Sequence, residues 1–157
     1  MSYSTWTDYG YGICVDDLKS EDISLDRLIN LIQLAPELYK GVKDFVTAHC
    51  NGQMTISDIL SYAIDDIYDE GNFYGGLAAI LHGVIEEVEG IDLYVCTDFD
   101  GATYLIYLPS YPWQLRRMSE KEQNLTEESL RDIYAKYLHI ITDEDIDVDY
   151  QSVTNGG

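Results

Sequence analysis

The stretch "YVCTDFDGATYLIY", residues 94–107, leaves little choice of local structure. Asp100-Gly101 separates two runs, 91–99 and 102–108, in which apolar residues recur at every second position. Asp-Gly in that setting is among the strongest short-range hairpin signals, because both central residues of a type I′ turn need positive φ. A two-residue loop pairs Phe99 with Ala102, Thr97 with Tyr104, Val95 with Ile106 and Leu93 with Leu108. One face of the ribbon is then apolar, and Tyr94 and Tyr107 meet on the other.

The same letters admit a catalytic reading. "DFDGAT" resembles the DxDG[TV] motif of phosphatases of the haloacid dehalogenase type. That resemblance implies Asp98 as nucleophile and Asp100 as the residue handling the leaving-group proton, with Mg²⁺ neutralising charge. It covers six residues. The motif should lead into a loop and a helix, but "ATYLIYL" starts another strand at once. Only 57 residues follow Asp100, too few for the parallel sheet and remaining ligands of such an enzyme. A metal-dependent hydrolase on Asp98 and Asp100 is therefore the enzymatic alternative, and a hairpin is the expectation.

Helices dominate the first half. Ser24 caps a segment with Leu25, Leu28, Ile29 and Ile32 on one face. Pro36 suits the first turn of the next, which turns Leu38, Val42, Phe45 and Val46 inward. Thr55 caps a third, whose stripe Ile56, Ile59, Leu60, Ala63, Ile64 and Ile67 has helical spacing. A fourth buries Leu77, Ile80, Leu81, Val84, Ile85 and Val88 and ends at Gly90. Gly75, Gly76 and Gly83 weaken it unless something packs close to its backbone. The last starts at Thr126, with Leu125 and Leu130 placed as a hydrophobic staple.

"YSTWTDYGYGICVDDL" reads as one or two short strands, or as one strand bulged at Gly10 or Gly12. "TDEDIDVDYQSV" adds an edge strand with Ile146, Val148 and Tyr150 inward, and "TNGG" frays. The expected architecture is α+β: about five helices packed on a small antiparallel sheet that contains the 91–99/102–108 hairpin. Residues 1–152 form a single domain and 153–157 a C-terminal tail.

Other chemistry lacks its parts. His49, His82 and His139 are scattered, and His82 with Glu86 at i, i+4 supplies only two ligands, so no metal or cofactor is expected. Cys14, Cys50 and Cys96 are widely spaced and odd in number, which suits reduced thiols in a cytoplasmic protein. No signal peptide or membrane span is evident.

The charges carry the functional signal. There are 29 acidic residues against 9 basic ones, a formal net charge of −20. Self-repulsion on that scale opposes folding, repels nucleic acid and attracts basic protein surfaces. Between Asp44 and Leu115 there is no Lys or Arg but there are 12 acids. Asp58, Asp65 and Asp69 fall in one line on the third helix, beside Tyr62 and Asp66, with ~16 Å between the first and last at 1.5 Å rise per residue. Glu86 and Glu87 extend the negative surface, and Asp143, Glu144, Asp145, Asp147 and Asp149 form a second run. Few internal partners are expected for these acids, so the sequence reads them as a partner-binding surface. The basic cluster Arg116, Arg117 and Lys121, beside Tyr111 and Trp113, is either a second contact site or a clamp on the acidic surface.

Rows of carboxylates on a folded scaffold imitate the phosphate rows of a duplex. Tyr9-Gly10-Tyr11-Gly12 and Tyr111-Pro112-Trp113 resemble segments of small acidic proteins of bacterial phages and mobile elements, a group that includes anti-CRISPR proteins. The resemblance covers seven positions and carries over no catalytic residue. It implies a non-enzymatic inhibitor that acts by DNA mimicry on a defence nuclease of the anti-CRISPR or anti-restriction type. Its partner would be a basic, nucleic-acid-binding protein, bound without direct contact to nucleic acid or membrane. An immunity protein or antitoxin against a basic toxin follows the same charge logic.

Overall fold

A computed structural model describes residues 4–49, 53–64, 73–108 and 118–156. The architecture is α+β, as the sequence predicts. Strands β1 (Thr5–Cys14), β2 (Tyr94–Thr97), β3 (Thr103–Tyr107) and β4 (Asp149–Gly156) form one antiparallel sheet in the order β2-β3-β1-β4. The helices are α1 (Leu25–Ile32), α2 (Pro36–His49), α3 (Ile56–Ala63), α4 (Phe73–Glu89), the single turn α5 (Glu120–Gln123) and α6 (Glu127–Ile141). The expected caps form. Ser24 accepts from the Arg27 amide, and Thr55 and Thr126 close capping boxes with Asp58 and Ser129.

Helix α4 is the centre of the core. Leu77, Ala78, Ile80, Leu81, Val84 and Ile85 are at most 1 % exposed, and the helix packs on β2, β3, α1, α2 and α3. Burying each large aliphatic side chain contributes ~1.5–3 kcal/mol. Of the three α4 glycines, Gly76 meets the closest neighbour, because an added Cβ would come 2.9 Å from Leu60 Cβ. Gly75 faces open space.

The hairpin forms, but its register differs from expectation by one residue. Thr97 pairs with Thr103, Cys96 with Tyr104, Val95 with Leu105 and Tyr94 with Ile106. The loop is Phe99-Asp100-Gly101, closed by Gly101 N–H to Asp98 O at 3.1 Å, with Gly101 at φ +84°. Such a three-residue loop, a β-turn followed by a left-handed glycine, is the next most common hairpin connection. Two causes select it. Asp98 Oδ1 accepts from the amides of Asp100 and Ala102, at 2.9 and 3.0 Å, which braces the longer turn. And β3 is buried on both faces, with Leu105 and Ile106 both at 0 %, so alternation could not specify one register.

"YGYG" lies on an inner strand without a bulge: Thr5–Gly12 pairs with β4 and Tyr11–Cys14 with β3. Edge strands β2 and β4 curl toward each other, and Asn155 Nδ2 donates to Thr97 O at 3.0 Å. Ile106 and Val153 are buried outside the helix-side core, on the opposite face of the curled sheet. The curl leaves no room at Gly12, where a Cβ would lie 2.1 Å from Leu105 O and 2.7 Å from Tyr134 Oη. The Tyr134 hydroxyl enters from α6 and shares its proton between the carbonyls of Tyr11 and Leu105, at 3.2 and 3.1 Å. Burial pushes that hydroxyl far above the usual tyrosine range.

Three further expectations are corrected. Residues 153–156, read as the start of a frayed tail, form the second half of β4, with Val153 1 % exposed and Gly156 opposite Thr5. Ile146 and Val148 precede the strand and half-bury against the core, whereas Tyr150 is 47 % exposed. The third helix ends at Ala63, and Ile64 is extended at φ −139°, ψ 143°.

The second polar anchor is Glu89, whose side chain is 8 % exposed. It accepts from Tyr137 at 2.8 Å and pairs with Lys136 at 3.2 Å and with Lys121. Burial raises its pKa, but the bonds from Lys121, Tyr137 and Lys136 outweigh this and bring it to about 2. A depressed folded pKa gives stability that is present above the unfolded value and lost as pH falls toward the folded one. The gap between wild type and Glu89→Gln in urea unfolding should therefore shrink from pH 5 to pH 2, by ~3 kcal/mol if the full shift is realised. Gly12→Ala should lose about 1–3 kcal/mol by overpacking, while Gly75→Ala should gain up to ~1 kcal/mol.

Candidate acidic interaction surface

Most of the acids that the sequence singles out have internal work. Asp58 Oδ2 accepts the Thr55 amide at 3.2 Å inside the α3 capping box. Tyr62, 38 % exposed, lays its ring near Phe45 and its hydroxyl over Gly41. Glu87 takes the first free amides of α2, with Oε2 and Oε1 each 3.0 Å from Glu37 N and Leu38 N. Glu86 faces His82 at 3.3 Å. Asp143 pairs with Arg27 at 2.8 Å, Glu144 with Lys19 at 2.8 Å and Asp145 with His139 at 3.3 Å. Asp149 Oδ1 accepts the Tyr150 amide. The expectation of few internal partners is thus corrected: a chain short of cations satisfies carboxylates with backbone amides instead.

Asp65, Asp66 and Asp69 lie outside the described residues, as do Tyr111, Trp113, Arg116 and Arg117. The expected Asp58–Asp65–Asp69 row therefore lies mostly outside the described residues. Lys121 belongs to the Glu89 cluster, which makes it an internal clamp.

What the structure does bring together is a face that sequence reasoning missed. Two bridges, Lys19–Glu144 and Arg27–Asp143, join segments 125 and 116 residues apart. They lay the exposed loop 143–147 against the short turns Val15–Asp17 and Ser20–Asp22 and the start of α1. Glu21, Asp22 and Glu144 then gather at Lys19 and Asp143 at Arg27, with Asp145 and Asp147 exposed in the same loop. Glu144 first, then Asp22 and Glu21, hold Lys19 above the usual ammonium range. The Asp143 and Asp145 side chains remain 86 % and 98 % exposed despite their partners. The signal in the sequence was "VDDLKSEDISLD", with five acids at 16–26, but nothing local says that it meets residues 143–147.

The described cations elsewhere are largely engaged. Lys121 and Lys136 hold Glu89, Arg131 Nε donates to Tyr11 Oη at 3.0 Å, and Lys43 sits over the Tyr39 ring. The Asp98 carboxylate braces its turn and accepts from Tyr104 Oη at 3.2 Å. The strand–turn–strand around Asp98 and Asp100 replaces the loop and helix that a catalytic pair would need. Burial, then the charges of Asp8 and Asp98, push the Cys96 thiol up to about 12, so it stays protonated near neutrality. No helix of the described residues is long and apolar enough to cross a membrane.

Acids that cap the fold and acids that form the face should separate under mutation. Glu87→Ala should destabilise by ~1–2 kcal/mol through loss of the α2 cap, whereas Asp147→Ala should shift the urea midpoint little. Comparison with family models, curated proteins and solved structures gives no match for this chain.

Proposed function

We propose that the chain is a non-enzymatic inhibitor that occupies the basic nucleic-acid-binding surface of a defence nuclease in place of nucleic acid. The observation that carries this reading is the composite face: Glu21, Asp22, Asp143 and Glu144 meet at Lys19 and Arg27 from both ends of the chain, beside the exposed Asp145 and Asp147. Carboxylates needed only for folding would be satisfied by amides, as Glu87 and Asp58 are. Concentrating others on one exposed face costs repulsion, and a cationic partner relieves it. Charge complementarity of this kind gives fast, salt-sensitive association. The "YGYG" segment is accounted for by the sheet, so the proposal rests on charge and not on that motif.

The test is a capture experiment from bacterial lysate at low salt, eluted with a salt gradient, using wild type and a Glu21→Lys/Asp22→Lys/Asp145→Lys/Asp147→Lys variant. Wild type should retain a basic nucleic-acid-binding protein that salt releases, and the variant should lose it. Equal capture by the variant, or release that ignores salt, would contradict the proposal. The identity of the captured protein separates a defence nuclease from a toxin.

A further inference from the structure

The geometry points to a divalent-metal site at the C-terminal end of α4, formed by His82, Glu86 and Asp92. The sequence offers His82 and Glu86 one turn apart, and the fold adds the third ligand. Gly90, at φ +71°, reverses the chain after α4. Ile91 and Leu93, at 0 % and 3 % exposure, are anchored in the core and hold Asp92 outward between them. The Asp92 amide also donates to Glu122 at 3.4 Å. His82 Nε2 then lies 3.3 Å from Glu86 Oε2 and 3.1 Å from Asp92 Oδ1. All three ligand atoms fall within 4.8 Å of one another.

The two separations from His82 suit a shared ion. Two ligands each ~2.1 Å from one zinc-like ion lie ~3.0–3.4 Å apart at ordinary coordination angles. The site is electrostatically prepared, because the last turn of α4 presents the negative end of its dipole. One nitrogen and two carboxylate oxygens suit Zn²⁺ and its first-row neighbours better than Mg²⁺ or Ca²⁺. His82 and Asp92 also line a cleft of about 460 Å³ with Ala79, Leu93, Tyr94 and Leu108. Three protein ligands beside open space leave a coordination position for water or a ligand donor atom. The site shares no residue with the face at 17–26 and 143–147, so either stands without the other.

Calorimetric titration of the purified full chain with ZnCl₂, in excess Mg²⁺ to occupy non-specific carboxylates, tests this. One saturable site is expected. His82→Ala and Asp92→Asn should each weaken it by at least ~10-fold, since even lost supporting contacts at metal sites cost that much. The His82 imidazole resonances of wild type should shift on zinc addition, a readout that needs no variant to fold. Absence of saturable binding, unmoved His82 resonances, or equal binding by a folded His82→Ala protein would overturn the assignment, the last showing ions held only by the general acidic surface.

Discussion

Carboxylates outnumber cations by 29 to 9, and the fold depends on what else can satisfy them. The answer is the backbone amide. Glu87 takes two amides at the start of α2, and Asp98 takes two in the hairpin turn. Asp16 accepts from Thr103 at 2.8 Å, Asp58 from Thr55, and Glu122, 5 % exposed, from Ser119 and Asp92. Each bond to a charged acceptor is worth more than a neutral one and needs no lysine or arginine. The scarce cations are kept for places where amides cannot reach. Two of them meet at Glu89, where α4, α5 and α6 converge.

This division explains the electrostatic layout. Acids that cap or brace are tied to elements next to them or to helix ends, so they add little free negative surface. Other exposed acids meet where the 143–147 loop crosses the turns before α1, and Lys19 and Arg27 act there as rivets between two acidic segments. A rivet of this kind fixes the geometry of the face without cancelling its charge. On the proposed reading, a partner would meet a preformed surface and lose little entropy in ordering it.

Local chemistry was legible in the sequence wherever one residue type meets one requirement. Ser24, Thr55 and Thr126 announce helix starts, Pro36 a first turn, Gly90 a helix end, and Asp100-Gly101 a hairpin. What was hidden depends on tertiary context. The hairpin register could not be read because β3 is apolar on both faces, and the length of β4 because "SVTN" looks like tail until it pairs with β1. The glycines of "YGYG" gain their purpose only in the folded sheet, where Gly10 lies against Tyr107 O and Gly12 makes room for Tyr134 between β1 and β3. The acidic face and Asp92 share one cause of concealment: both arise from contacts that only the folded chain creates.

The central claim is that the exposed acids take the place of nucleic acid on a basic surface, which makes simultaneous occupancy impossible. The most direct measurement is a binding equilibrium among three components: the captured partner, its fluorescently labelled nucleic acid and this protein. The account predicts that the protein displaces the nucleic acid one for one, with no ternary complex at any concentration and an apparent affinity that falls steeply with salt. A stable ternary complex, with nucleic acid and protein bound together, would contradict it.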